Sequence, residues 1–223
     1  MPAKLFLFLA VCFFSLSNVL HAQALSQAEV KDLIAQIRQK RAAAPQVQAN
    51  FQEQKTMKLM NKPVTSSGKV WFQAPNKFRR EVGGNSPSLT VSDGSTLWIH
   101  YPKFQSAEQY QLGKRSPLDA GIAAITASLN LEGVESSYNI SGVKEGNDHV
   151  LTLIPRSGQT KRMLQQFTIR LNQALQVERT EMLQPNGDRI VTTYSNESRA
   201  PIDAGMFSFT PPAGTKITTP LGR

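Results

Sequence analysis

The chain has 223 residues, with 25 Lys and Arg against 16 Asp and Glu, and a formal net charge of +9. Hydrophobic residues make up 40% of it, which is ordinary for a globular protein and excludes an intrinsically disordered chain. The basic residues are scattered along the sequence, whereas nucleic-acid-binding proteins concentrate positive charge and interleave it with aromatic side chains. The charge therefore favours acidic partners or anionic lipid headgroups, with an ordinary soluble surface as the alternative.

The first 24 residues have the pattern of a secretory signal peptide. A positive start and an apolar run, Leu5 to Leu16, precede an Ala-x-Ala cleavage site after Ala24, with Ala22 as the second choice. The run is too short to remain as a membrane anchor, which needs about 20 apolar residues. Cys12 lies inside it and is the only cysteine. We therefore expect residues 25–223 to form one exported domain without disulfides, stabilised by its hydrophobic core.

Residues Leu25 to Ala44 are predicted to form one amphipathic helix. Ser26 and Glu29 match a capping box, in which each side chain satisfies a free amide at the helix start. Apolar residues recur at i, i+3, i+4 and i+7 on one face. That face comprises Val30, Leu33, Ile34 and Ile37. The basic residues Lys31, Arg38, Lys40 and Arg41 are assigned to the water-facing side.

After Pro45 the apolar pattern changes to a period of two, which indicates β-strands. Four or five consecutive antiparallel strands are expected up to Tyr101, with Asp93 and Gly94 in a tight hairpin turn. Their apolar residues are Val47, Ala49, Phe51, Val70, Phe72, Phe78, Val82, Leu89, Val91, Leu97 and Ile99. Pro75 is expected to break the ladder between two of these strands, and Arg79 to face water.

A second helix is predicted over Ser116 to Leu129. Pro117 suits the first helical position, and Asp119 favours the positively charged start of the helix dipole. Ile122 and Ile125 belong to its apolar stripe. Two interpretations stay open: a helix that simply packs against the sheet, and a movable lid.

Strand signals resume at Tyr138 and continue to the C-terminus, with a hairpin turn over Pro185–Asp188. Their apolar positions include Ile140, Val143, Val150, Phe167, Ile169, Leu171, Leu175, Val177, Ile190, Phe207, Phe209 and Ile217. The count comes to about ten antiparallel strands. A sheet of that size must curl, split or close.

The predicted fold class is therefore α+β. We expect a strongly curved antiparallel sheet that forms an incomplete β-barrel, with helices covering its concave hydrophobic side. A hollow lined with apolar side chains is suited to lipid.

The sequence contains no motif typical of catalysis or metal binding. His100 and His149 lie on separate predicted strands without metal-ligand spacing, and both are expected at the surface. No Gly-x-Ser-x-Gly and no cysteine nucleophile are present. Asp93 and Asp188 are interpreted as turn formers. We therefore expect neither an enzyme nor a cofactor.

Three blocks of residues together resemble a known family. The first is Phe51-x-Gln-x-Lys55 with Ser67-Gly-x-Val-x-Phe-x-x-Pro75-x-x-Phe78-Arg79. The second is Val91-Ser-Asp-Gly-x-x-Leu-Trp98-Ile-x-Tyr-Pro102. The third is Gln165-Gln-Phe-Thr-Ile169, leading to Ala204-x-Met-Phe207-Ser-Phe209-Thr-Pro-Pro-x-Gly214. In this order and spacing they resemble the LolA-type periplasmic carriers of outer-membrane lipoproteins.

The resemblance implies a monomeric carrier with a hydrophobic cavity for lipoprotein acyl chains. It also implies an inner-membrane ABC transporter as donor and an outer-membrane lipoprotein as acceptor. By the family motif, Val70, Phe72 and Phe78 are expected to line the cavity. Strand and helix patterns add Leu97, Ile99, Ile122 and Ile125, and for every one of these residues ordinary core packing is the alternative. A related glycolipid carrier or lipid sensor is the alternative function.

One position departs from the family pattern. The resemblance implies an arginine just before Pro75 that holds the lid shut through hydrogen bonds, but this chain has Ala74 there. Arg80 lies two residues after Phe78 and, by the period of two, on the same face of its strand. Arg80 is therefore the candidate for the lid contact.

Overall fold

The computed structural model describes residues 22–60, 62–112, 131 and 133–220. In this part of the chain, thirteen strands form one sheet. The strands are β1 Ala22–Ala24, β2 Gln46–Thr56, β3 Val64–Gln73, β4 Lys77–Val82, β5 Ser88–Ser92, β6 Thr96–Tyr101, β7 Ser106–Gln111, β8 Tyr138–Glu145, β9 Asp148–Pro155, β10 Gln166–Leu171, β11 Val177–Leu183, β12 Arg189–Ser198 and β13 Lys216–Thr218.

The sheet is open, and its order is β1-β8-β9-β10-β11-β12-β2-β3-β4-β5-β6-β7-β13. β1 and β13 are its edges, so the prediction of a large curved sheet forming an incomplete barrel is confirmed. The prediction of an antiparallel sheet needs one correction, because β13 pairs with β7 in parallel. The expected break at Pro75 is also confirmed, since it lies between the end of β3 and the start of β4.

The longest described helix is α1, Gln27–Ala42, and two short helices follow, α2 Val134–Ser137 and α3 Gly158–Lys161. The capping box of α1 forms as expected. The Glu29 amide donates to Ser26 Oγ at 3.3 Å, and the Ser26 amide donates to Glu29 Oε2 at 2.7 Å. The second predicted helix, with Ile122 and Ile125, lies outside the described residues. Among the described residues, no helix is long and apolar enough to cross a membrane.

One face of the sheet, called the inner face here, carries α1. Directly opposed residues of paired strands point to the same side, so the strand registers trace this face across the sheet. The core beneath α1 joins the apolar helix residues Val30, Leu33, Ile34 and Ile37 to Leu151, Leu153, Phe167, Ile169 and Leu171 of the sheet. Gly142 of β8 permits the close approach of α1 to the sheet, because a Cβ there would lie 2.9 Å from Leu25 Cδ1 and 3.0 Å from Val30 Cγ2.

The opposite, outer face of β4–β6 is covered by the C-terminal segment. Phe207 belongs to a 3₁₀ turn, Ala204–Phe207, and not to a strand as expected. Phe209 packs against Trp98 and His100, with ring centroids 5.8 and 5.3 Å apart. This cover buries His100, so the prediction that it lies at the surface is wrong.

Arg79 was expected to face water, but the same C-terminal segment covers it. Its Nη1 donates to the Met206 carbonyl at 3.1 Å, and its Nη2 lies 2.6 Å from Glu81 Oε1. The Arg79 side chain is 18% exposed, because the C-terminal segment lies over the outer face where solvent was expected. His149 also differs from expectation, since its Nδ1 is buried without a partner among the described residues.

Candidate functional site

The structure brings the described candidates for the cavity to one place on the inner face. Phe72 of β3 lies directly opposite Phe78 of β4, and Val70 lies opposite Arg80. On β5, Ser92 lies opposite Phe78 of β4 and opposite Leu97 of β6. Thr90 likewise lies opposite Arg80 of β4 and opposite Ile99 of β6. The five described cavity candidates and Arg80 therefore share the face that α1 covers further along the sheet. Ile122 and Ile125 lie outside the described residues.

These residues form a second apolar region, apart from the core beneath α1. Phe51, Val70 and Phe78 make a buried cluster, with Ala49, Val82 and Tyr194 packed against it. Phe72 and Leu97 are also buried, at 2% and 1% exposure, whereas Ile99 is half-buried. The inner face is thus apolar well beyond the reach of α1.

Phe51 belongs to this region, although the sequence predicts it only as a strand and motif residue. It lies opposite Gly68, and a Cβ on Gly68 would lie 1.7 Å from the Glu81 carbonyl oxygen and 3.1 Å from Phe51 Cε1. Gly68 therefore lets three strands pack around the Phe51 ring. The glycine of the Ser67-Gly68 motif is the signal that could have placed Phe51 in the site.

Between the end of α1 and the apolar region lies a small cavity. It is lined by Val47, Ala49, Val70, Phe72, Val177 and Tyr194, together with Arg41, Glu197 and Arg199. Its volume is about 20 Å³, room for about one water molecule. This space is too small for an acyl chain, so occupation of it by a chain requires its walls to move apart.

A larger open groove, about 860 Å³, lies at the far end of β2 and β3. Its lining is mainly polar and includes Gln52, Gln54, Thr65, Ser67 and Thr193. By register these five side chains belong to the outer face. Polar walls do not suit an alkyl chain, so size alone does not make this groove the lipid site.

Arg80 is held within the sheet itself. Its Nη2 donates to Glu53 Oε2 at 2.8 Å, and its guanidinium carbon lies 4.2 Å from the centroid of the Phe51 ring. Thr192 Oγ1 donates to the same Glu53 oxygen at 3.4 Å. The inner face therefore carries a partly buried ion pair beside its aromatic cluster.

Arg41 is buried, so its assignment to the water-facing side of α1 is wrong. It is 7% exposed and it lines the small cavity. Arg41 follows Ile37 by four residues, and this helical spacing was the signal that could have placed it on the apolar face. Burial, and next the neighbouring charge of Arg199, lower the pKa of Arg41 to about 10.

The other charged residues have structural partners. Asp93 Oδ1 accepts hydrogen bonds from the amides of Ser95 and Thr96 at 2.7 and 2.8 Å, which lowers the pKa of Asp93. Asp188 Oδ1 accepts from the Lys58 amide at 3.0 Å. Asp93 therefore acts within its own turn, as predicted, whereas the carboxylate of Asp188 joins its turn to the segment after β2. No group of three or more His, Cys, Asp and Glu among the described residues could hold a metal ion.

Most of the chain matches one known protein family. Residues 42–210 match the family described as outer membrane lipoprotein carrier protein LolA. The chain belongs to the LolA family. The LolA family is one of carriers and not of enzymes, and the matched residues include every described cavity candidate.

Curated LolA relatives cover most of the chain. A protein from Klebsiella pneumoniae named outer-membrane lipoprotein carrier protein is 27% identical over 169 residues, which is 76% of this chain and 79% of the relative. One of the same name from Yersinia pestis is 26% identical over 211 residues, or 95% of this chain and 96% of the relative.

Among solved structures, a LolA superfamily protein from Nitrosomonas europaea aligns with a TM-score of 0.45 and 12% identity. It covers 80% of this chain and 97% of its own. The lipoprotein LppX from Mycobacterium tuberculosis aligns with a TM-score of 0.40 and 15% identity, over 78% of this chain and 98% of its own.

Proposed function

We propose that this protein is a periplasmic carrier that binds lipoprotein acyl chains against its inner face and moves lipoproteins from the inner to the outer membrane. The apolar strip of the inner face that continues past α1, from Phe51 to Ile99, is the observation that carries the proposal. The family and the names of the relatives support the lipoprotein as cargo.

The energetics require a carrier of this kind. Transfer of an alkyl chain into water costs about 0.8 kcal/mol for each CH₂ group, so several acyl chains cost tens of kcal/mol together. A carrier must offset most of that cost and still release its cargo. A hollow whose apolar walls cover one another until a chain replaces them would meet both needs.

The same proposal assigns roles to residues identified from sequence. Val70, Phe72, Phe78, Leu97 and Ile99 contact the acyl chains, and Ile122 and Ile125 contribute from the second predicted helix. Arg80 lies on the inner face, beside the aromatic cluster. In the proposal it replaces the family arginine absent at Ala74 and contacts that helix as a lid.

Location and partners follow from the same reasoning. The signal peptide, residues 1–24, directs the chain out of the cytoplasm and is removed. Its removal takes away β1, Ala22–Ala24, and leaves β8 as the edge of the mature sheet. The carrier then works as a monomer. It takes lipoproteins from an inner-membrane ABC transporter and delivers them to an acceptor lipoprotein in the outer membrane.

Depletion of the protein in cells tests the function. We expect lipoproteins destined for the outer membrane to accumulate in the inner membrane, measured by separating the two membranes on a density gradient. If the lipoproteins still reach the outer membrane and another lipid, such as a glycolipid, is mislocalised instead, the proposed cargo is wrong.

A variant pair tests the site. Phe78→Glu places a carboxylate in the apolar cluster and should abolish binding of a fluorescent fatty acid, because burial of an unpaired charge is strongly unfavourable. Gln52→Glu makes the same charge change on the outer face of β2, where the side chain is exposed, and should bind normally. Unchanged affinity in folded Phe78→Glu contradicts the site. If Phe78→Glu does not fold, Ile99→Gln on the same face tests it at a half-buried position.

A further inference from the structure

The cavity has one charged wall that nothing in the acyl-chain proposal uses. Arg41 lies in the last turn of α1 and is more than nine-tenths buried. Its Nη1 is buried and has no hydrogen-bond partner among the described residues. A buried guanidinium nitrogen in this position is costly, because it has left water without gaining an acceptor.

The two nearby charged residues, Glu197 and Arg199, do not supply an acceptor for Arg41 Nη1. Glu197 Oε1 accepts from Arg199 Nε at 3.1 Å and from Arg199 Nη2 at 3.0 Å. Arg199 Nη1 also donates to the Ala44 carbonyl at 2.9 Å, just past the end of α1. Glu197 is thus already engaged by Arg199, and the three side chains together carry one excess positive charge. The negative end of the α1 dipole offsets part of this charge but supplies no direct acceptor to Nη1.

The remaining walls are apolar apart from the hydroxyl group of Tyr194, which is engaged by Thr180 and Thr192. Val47, Ala49, Val70, Phe72 and Val177 line the cavity beside Arg41. A site with hydrocarbon walls and one unpaired cation matches a molecule with an alkyl chain and a single anionic group.

We propose that this cavity, when open, binds an acyl chain that carries a carboxylate or phosphate, and that Arg41 pairs with this anionic group. The proposal rests on the function proposed above, in that the inner face accepts acyl chains. It extends the ligands to lipids with an anionic group, which a chain joined to a lipoprotein through its carbonyl lacks. A charge-assisted hydrogen bond would satisfy Nη1 and balance the excess charge of the cluster.

The test compares ligands with the same chain and different ends. The affinities of palmitic acid, its uncharged methyl ester and palmitoyl lysophosphatidic acid are measured by displacement of a neutral fluorescent probe. An added hydrogen bond to a charged group predicts that at least one anionic ligand binds about 10- to 100-fold more tightly than the ester. Tighter binding of the acid identifies a carboxylate, and tighter binding of the lysophosphatidic acid identifies a phosphate.

Variants then assign the effect to Arg41. Arg41→Met should remove the preference for the anionic ligand and leave affinity for the ester unchanged, while Arg41→Lys should keep part of the preference. Lys31→Met removes one positive charge from the exposed side of the same helix and should behave as the wild type.

Each contrary result has a distinct meaning. Equal binding of acid, lysophosphatidic acid and ester to the wild type overturns the inference and leaves the acyl-chain site intact. Binding of none of the three overturns the proposed function itself. If folded Arg41→Met keeps the preference, the role of Arg41 is wrong. The wild-type comparison decides the inference even if Arg41→Met fails to fold.

Discussion

Replacement of Arg41 by methionine is expected to stabilise the empty protein. Arg41 is 7% exposed and its Nη1 has no partner among the described residues. Methionine has a similar length, fits the apolar wall and needs no hydrogen bond. Replacement of buried charges by apolar side chains of similar volume is often neutral or stabilising.

The size of the effect follows from the pKa. Burial, and next the charge of Arg199, lower the pKa of Arg41 to about 10, and since each pKa unit corresponds to 1.36 kcal/mol the cost of the buried charge is about 3 kcal/mol at most. A lowered pKa means that folding disfavours the charged form. The guanidinium is charged in both states at neutral pH, so the cost is present in full there. We expect a gain of about 1–3 kcal/mol in the free energy of unfolding.

Urea unfolding measures the gain as an increase in the midpoint at unchanged slope. Arg38→Met is the matched control, one turn earlier on the same helix. Arg38 Nε donates to the Leu131 carbonyl at 2.9 Å, and its Nη2 pairs with Glu135. Loss of these bonds should lower the free energy of unfolding by about 1–2 kcal/mol. If Arg41→Met destabilises the protein as much as Arg38→Met does, Arg41 has partners that satisfy it and the reasoning is refuted.

Three further substitutions test the fold and the inner face. Gly68→Ala should cost about 1–3 kcal/mol, because its Cβ would lie 1.7 Å from the Glu81 carbonyl oxygen, and an unchanged melting temperature would contradict that packing. Ser26→Ala removes the capping box of α1 and should cost about 1 kcal/mol in urea unfolding, whereas no loss would mean that water replaces the cap. Arg80→Ala should cost about 1–2 kcal/mol through the lost contacts with Glu53 and the ring beneath it, and should speed lipid release in a stopped-flow assay. Unaltered release would argue against Arg80 as the lid contact.

Much of the sheet could be predicted because its strands alternate. Along β3, Val70 and Phe72 alternate with polar residues, apart from Trp71, so the period of two put both on one face, and the resemblance to the family added Phe78 of β4. β7, Ser106–Gln111, was missed because SAEQYQ shows no apolar alternation. It forms by pairing with β6, so its signal lies in the partner strand and not in its own sequence.

The charged residues of the site were harder to predict. Arginine is usually exposed, so Arg41 was assigned to the water-facing side of α1. Its helical spacing from Ile37 indicated the apolar face, where it is buried. Arg79 and His100 were expected in water because nothing local shows that residues 204–209 fold back over the outer face. Contacts between segments that are distant in sequence decide whether such residues are buried. Strand periodicity carries no information about these contacts.

The contact between cargo and the inner face can be measured directly by site-specific photocrosslinking. A photoreactive phenylalanine analogue is placed at Phe72 or at the adjacent Trp71, which points to the outer face and bonds to Gln48 at 3.2 Å. The protein is then irradiated in cells that contain lipoproteins with labelled acyl chains. Crosslinks to the acyl chains are expected from position 72 and none from position 71. Equal crosslinking from both positions, or crosslinking from position 71 alone, would contradict this expectation.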